Sequence, residues 1–258
     1  MTSITAGAWI RRYHSAAAAD APRLVCLPHA GGSASFYFRH SAALAPAVAV
    51  LAVQYPGRME RHDEPCAGSV ADLADGIFEA LAALPDLGDD VSLFGHSMGA
   101  TVAFEVVRRL EDRLGLTPRR LFVSGRRAPS RHRDERVHTL DDDGLVAELT
   151  ALDGSNSRVF ADPEMRALLL PAIRNDYRAI ETYRCAPDVV ISAPVTVLTG
   201  TADPTTTPDE ADAWRGHTTA GVTVHTMSGG HFFLNEHRPA ILDIVTRSLS
   251  ACNGTSGR

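Results

Sequence analysis

The feature that most constrains this chain is a repeated alternation of short β-branched runs with longer helical stretches. Residues 23–28 (RLVCLP), 48–53 (VAVLAV), 91–94 (VSLF), 121–125 (LFVSG), 195–199 (VTVLT) and 222–227 (VTVHTM) are short, strongly apolar segments. Strands read this way when helices cover both faces of a parallel sheet. Between them, residues 70–84, 100–114 and 240–249 carry apolar side chains at helical spacing. The alternation predicts an α/β fold, a mostly parallel doubly wound sheet with right-handed crossovers.

One interval breaks the pattern. Residues 130–193 contain no convincing strand, but residues 141–152 open with acidic side chains suited to a helix N-terminus. Residues 163–183 continue the helical spacing, and Pro171 is expected to kink or split that helix. A block of this length exceeds an ordinary loop. It reads as a helical lid insertion over the C-terminal edge of the sheet. The expected organisation is therefore an N-terminal extension (1–22), a core (23–129 and 194–250), the insertion (130–193) and a flexible tail (251–258).

Composition removes several kinds of chemistry. All 25 basic residues among the 258 are arginine. With no lysine there can be no P-loop lysine, Schiff-base lysine or Ser–Lys dyad. A net charge of −6 argues against nucleic-acid binding. The four cysteines (Cys26, Cys66, Cys185, Cys252) form no C-x-x-C pair or metal-ligand spacing. They read as reduced thiols, with no metal site. No segment has the length of a membrane span, and residues 1–22 lack a signal-peptide apolar run, so a cytoplasmic location is expected. A monomer is expected as well.

Gly95-His96-Ser97-Met98-Gly99 matches G-x-S-x-G, directly between a strand-like VSLF and a helix-like run. A serine on such a sharp strand-to-helix turn is presented above the sheet at a helix N-terminus, and the flanking glycines relieve crowding. A free serine hydroxyl is a weak nucleophile and needs a base. His231, in SGGHFF after the last strand, occupies the expected place in the chain order Ser…Asp…His. His96 adjoins Ser97, but its side chain should point away from it. Asp203, three residues past the strand at 195–199 and its closing glycine, is the matching acid that would hold the His231 tautomer. Asp209 and Asp212 are nearby alternatives, but they fall in the following helical segment. Two backbone N–H groups must hold the oxyanion. Met98 follows the nucleophile. Ala30, in the Pro28-His29-Ala30-Gly31-Gly32-Ser33 loop, is the second donor, with Gly31 as the near alternative. These features together specify an α/β-hydrolase fold.

The strings LPHAGGSASFYF, VQYPGR, LFGHSMGA, LFVSGRRAP, ETY, a G-x-x-D-P after the penultimate strand and GGHFFL run in order through most of the chain. In this combination the sequence resembles the type II thioesterases, discrete enzymes that accompany modular polyketide and nonribosomal-peptide synthases. The resemblance implies hydrolysis of acyl groups from the phosphopantetheine arm of acyl or peptidyl carrier proteins, with Ser97, Asp203 and His231 as the triad. No cofactor is implied beyond the arm, which belongs to the partner. One departure is Thr201, where the family often has an acidic residue.

Carrier proteins are generally acidic, so this acidic chain needs a local basic face. The cluster Arg126, Arg127, Arg131, Arg133 and Arg136 leads into the insertion, and Arg131 and Arg133 are the docking candidates. Two other readings compete. One is a carboxylesterase, lipase or chain-releasing cyclase; the absence of an HGGG-type loop opposes a lipase, and a free chain opposes an integral terminating domain. The other is a non-catalytic hydrolase-fold binding protein, opposed by the complete Ser–Asp–His set.

Overall fold

A computed structural model of the protein describes residues 6–15, 18, 20–152 and 159–250. The predicted tail at 251–258 lies outside the described residues. Seven strands form one sheet: β1 (Ile10–Arg11), β2 (Arg23–Leu27), β3 (Ala49–Val53), β4 (Val91–His96), β5 (Arg120–Ser124), β6 (Val195–Gly200) and β7 (Val222–Met227). Their spatial order is β1-β3-β2-β4-β5-β6-β7. All neighbouring pairs are parallel except β1 with β3. The helices are α1 (Ala6–Trp9), α2 (Phe38–Leu44), α3 (Val70–Ala82), α4 (Met98–Leu114), α5 (Asp142–Leu152), α6 (Pro163–Thr182), α7 (Pro208–Asp212), α8 (Phe233–Glu236) and α9 (Arg238–Ser250).

The two-residue period of the strands divides the core into two layers. Val25, Leu27, Leu51, Val53 and Leu93 belong to the layer shared with α1, α3 and α4. Leu24, Cys26, Val50, Ala52 and Phe94 belong to the opposite layer, shared with α2, α8 and α9. Both layers exclude water from β2 to β6, which explains their nearly unbroken apolar sequence, whereas β7 stays partly open to solvent. The strand register brings Leu27 beside Gly95, His96 beside Ser124, and Gly200 beside Met227. The loops that follow β2, β4, β6 and β7 consequently open along one edge, where ligands of open α/β sheets bind.

β1 lies in the stretch read as an extension, where two residues give no periodicity to recognise. α5 and α6 fall within 130–193 and form a third apolar cluster of their own, with Leu145, Phe160, Leu170 and Ile173 at its centre. Pro171 does not split α6, which is continuous from Pro163 to Thr182. Proline frees the carbonyl four residues earlier. Here both Pro171 and Ala167 are exposed, so water can satisfy that group. The Asp162 side chain caps the start of α6 by accepting from the Glu164 and Met165 amides, at 2.8 and 3.4 Å. No helix among the described residues is long and apolar enough to cross a membrane.

Candidate active site

Ser97 stands between β4 and α4 with φ 54° and ψ −121°, a conformation costing a non-glycine residue about 1–3 kcal/mol. The surrounding backbone enforces it. The Ser97 N–H donates to the Ser124 carbonyl at 2.8 Å, and the Ser97 carbonyl accepts from Ala100 at 3.0 Å. A Cβ on Gly95 would lie 2.2 Å from the Gly99 oxygen, and one on Gly99 would lie 2.2 Å from the Leu27 oxygen. The two glycines of the motif are thus required by close approach between the elbow, its helix and β2. Met98 is the first residue of α4 and its amide belongs to the helix's unsatisfied N-terminal set.

Asp203 and His231 arrive from the loops after β6 and β7. His231 Nδ1 lies 3.0 and 3.1 Å from the two Asp203 carboxylate oxygens. A carboxylate can only accept, so Nδ1 carries the hydrogen and, in the neutral ring, the lone pair sits on Nε2. His231 is 4% exposed, and the Asp203 side chain is fully buried. Burial pushes the Asp203 pKa up, but the hydrogen bond and charge of His231, with bonds from Thr205, outweigh it and hold the pKa below the usual aspartate value. Asp203 therefore remains ionised opposite the imidazole. Asp209 and Asp212 lie in α7, with Asp209 in its first turn.

Thr205 is a member of this group that the motif search missed. Its amide and its hydroxyl both donate to Asp203 Oδ1 at 2.8 Å. The hydroxyl oxygen also lies 3.0 Å from His231 Nδ1. An aspartate side chain accepting from the amide two residues on is an Asx turn, a signal readable from Asp203-Pro204-Thr205. His96 was expected to point away from Ser97; it is fully buried, with its ring centroid 5.0 Å from that of His231. Its Nδ1 is 3.1 Å from Ser124 Oγ. Burial, reinforced by the charges of His231 and His29, depresses its pKa well below the ordinary histidine value, so it is a neutral wall beneath His231.

Two cavities meet at Ser97, and Ala30, Leu152, Tyr177 and His231 line both. One, of about 150 Å³, is walled by Leu149, Phe160, Leu169, Ile173 and Phe232. The other, of about 310 Å³, has the charged side chains Arg126, Arg127, Glu135, Glu148 and Glu181 in its walls beside Val137, Ala151 and Ile180. In the β2 loop the Gly31 N–H donates to Asp176 Oδ2 at 2.8 Å. That amide is committed, which leaves Ala30 as the loop residue bordering both cavities beside Ser97.

The arginine cluster is largely neutralised internally. Arg127 pairs with Glu135, and Arg133 Nε donates to Glu210 at 2.8 Å. Arg126 donates to Thr101 Oγ1 at 3.1 Å; burial first, and then the Arg127 charge, bring its pKa down to about 9. Arg136 pairs with Asp134. Arg131 is exposed.

The family model for the thioesterase domain matches residues 22–249. The chain is 51% identical over 245 residues to a probable cadicidin biosynthesis thioesterase of Streptomyces griseus, covering 95% of this chain and 67% of that one. It is 46% identical over 252 residues to thioesterase PikA5 of Streptomyces venezuelae, covering 98% and 89%. The solved structure of the type II thioesterase BorB, from the borrelidin biosynthetic cluster, aligns with a TM-score of 0.87 at 51% identity, covering 94% of this chain and 98% of that one. Sheet order, elbow and a match over nearly the whole chain agree, and the chain belongs to the thioesterase family, as a hydrolase of its type II branch.

Proposed function

We propose that this thioesterase removes aberrant or stalled acyl groups from the phosphopantetheine arm of acyl or peptidyl carrier proteins, and that it does so through an acyl-enzyme on Ser97. The observation that carries this reading is the buried His231–Asp203 pair beside a strained serine where two cavities meet. His231 Nε2 takes the Ser97 proton as Oγ attacks the thioester carbonyl. The Met98 and Ala30 amides hold the oxyanion, and Asp203 stabilises the imidazolium. The C–S bond breaks, and His231 returns the proton to the departing pantetheine sulfur. Water activated by His231 then attacks the acyl-serine ester, which releases the free acid and restores Ser97.

The helical insertion at 130–193 acts as the lid. The smaller cavity beneath it, walled by Leu149, Phe160, Leu169 and Ile173, takes the acyl chain, and the larger one, with charged side chains in its walls, takes the amide-rich pantetheine arm. The enzyme works in the cytoplasm beside the synthase. Intact-protein mass spectrometry of carrier proteins loaded with acetyl, propionyl, malonyl and longer acyl groups tests this reading. Acyl mass is expected to disappear with the wild type and persist with Ser97→Ala. Persistence with the wild type across all loads would overturn it.

For docking, Arg131 carries the accessible charge of the cluster, because Glu210 offsets Arg133. Charge reversal at Arg131 is expected to raise KM for an acyl-carrier protein by about 3- to 10-fold, with no change for a small acyl thioester, because rim charges act on encounter. An equal effect on both substrates would remove Arg131 from the docking face. The same change at Arg133 breaks an internal ion pair, so Arg131 is the cleaner probe.

A further inference from the structure

A buried ion pair joins the insertion to the loop that carries Ala30. Asp176, in the middle of α6, is 1% exposed, and Arg58, in the loop after β3, is 7% exposed. Arg58 grips the Asp176 carboxylate with two parallel bonds, Nη1 to Oδ2 at 2.6 Å and Nη2 to Oδ1 at 2.8 Å. The pair also holds the loop backbone at two points. Asp176 Oδ2 accepts from the Gly31 amide at 2.8 Å, and Arg58 Nη1 donates to the Gly32 carbonyl at 3.2 Å. The Cα of Gly31 also packs so closely on α6 that a Cβ there would come within 2.7 Å of Ile173.

A buried ion pair contributes little net stability compared with apolar groups of similar size, since desolvating two charges offsets most of their attraction. Stability alone is therefore a weak reason for this one, and its backbone bonds supply another. The Gly32 amide donates to the His29 carbonyl at 2.9 Å. That carbonyl and the Ala30 N–H belong to the same planar peptide unit and point in opposite directions. Fixing Gly31 and Gly32 thus fixes the tilt of the His29–Ala30 peptide, and with it the direction of the Ala30 N–H. We infer that Arg58 and Asp176 are positioning residues, an ion pair that reaches from the insertion helix to aim the Ala30 amide at the oxyanion. The inference rests on the acyl-enzyme reading above, in which Ala30 is the second donor.

The test replaces the pair with apolar side chains of similar size, Arg58→Met with Asp176→Leu, so that no charge is left buried alone. A misaimed donor costs less than a missing one, whose loss slows turnover about 100- to 1,000-fold. The double variant is expected to keep the wild-type melting temperature within a few degrees. Its kcat on a propionyl pantetheine thioester is expected to fall about 10- to 100-fold, with KM within about threefold. A trifluoromethyl ketone analogue, which forms a tetrahedral oxyanion on Ser97, should lose affinity in proportion to kcat/KM. A thioether analogue, which forms none, should bind as before. Asp176→Asn, nearly isosteric, is the second variant; it leaves Arg58 without its countercharge and is expected to melt lower, with the same fall in kcat at nearly constant KM.

A folded double variant with wild-type kcat overturns the inference. So does a raised KM at constant kcat, which would make the pair part of substrate enclosure, and so does failure of both variants to fold, which would make it a determinant of the fold. Ser97→Ala run alongside separates the two levels. Residual wild-type hydrolysis in Ser97→Ala removes the acyl-enzyme reading itself, whereas a dead Ser97→Ala beside a fully active double variant removes only this inference.

Discussion

The Ser97→Ala variant is expected to lower kcat for acyl-thioester hydrolysis by about 10⁴- to 10⁶-fold, with KM nearly unchanged. The size follows from what the hydroxyl does. On the proposed mechanism no acyl-enzyme can form without Oγ, and the remaining acceleration would come from substrate binding and from the Met98 and Ala30 amides. The pair His231–Asp203 stays intact because its bonds lie on the far side of the imidazole, at Nδ1. Adding His231→Ala to Ser97→Ala should then cost almost nothing further, because a base with no nucleophile to activate has no role in acyl transfer. Single-turnover measurements on a chromogenic acyl thioester check both points. Losses that multiply in the double variant would show that the two residues act independently, contrary to a triad. Asp203→Asn is expected to fall short of the serine variant, at about 10⁴-fold, since it disturbs the tautomer rather than the bond-forming atom.

Gly99→Ala is expected to have the largest effect on the fold. The added methyl would sit 2.2 Å from the Leu27 oxygen and 2.6 Å from the Pro28 oxygen, and both are backbone atoms. No rotamer change can relieve that contact; α4 must shift away from β2, or the β2 loop must move. Either movement unpacks the buried contact of α4 with β2, where Leu27, Met98 and Ala100 are at most 1% exposed. A loss of roughly 3 kcal/mol or more is expected, corresponding to about 6–12 °C in melting temperature for a chain this size. Activity should fall with it, because the same loop carries Ala30. Gly216→Ala is the control. A Cβ there meets nothing within 4 Å, and its effect should stay within about 0.5 kcal/mol. Thermal melts of both variants decide the matter; a Gly99→Ala protein that melts like wild type would show that the contact relaxes at little cost.

What was legible in the sequence follows from how locally each feature is encoded. β2 to β6 are each flanked by helical or loop sequence and covered on both faces, so their runs stand out; β7 is only partly covered but keeps a β-branched run, Val222-Thr223-Val224. β1 is only Ile10 and Arg11, and its place at the sheet edge comes from pairing with Val53 and Ala52, far along the chain. Pro171 lies inside a continuous α6 for a related reason. The proline rule concerns a carbonyl that loses its partner, and its severity depends on whether water reaches that carbonyl, which is a property of the packed helix. In the candidate site, Ser97 was marked by the G-x-S-x-G pattern, and Asp203 and His231, which the structure pairs, by their places after the last two strands. Thr205 was available through the Asx-turn rule. Arg58 and Asp176 stand 118 positions apart. Nothing local marks either as buried, and only the docking of α6 onto the loop after β3 makes them a pair. The arginine cluster shows the converse: five cations close in sequence look like a basic face until Glu135, Glu210 and Asp134 are seen beside them.

The separate apolar cluster of the insertion has an evolutionary consequence. Leu145, Phe160, Leu170 and Ile173 pack with one another apart from the two layers that hold the sheet together. Their neighbours Leu149 and Leu169 border the apolar cavity beside Ser97. Substitutions at such positions can reshape the chamber while leaving the scaffold and the elbow untouched. On the proposed function, acyl selectivity and foldability would thereby rest on different side chains. A lineage carrying this architecture can drift among cargoes through changes in α5 and α6, while β2, β4 and the loops bearing Ser97, Asp203 and His231 stay as they are.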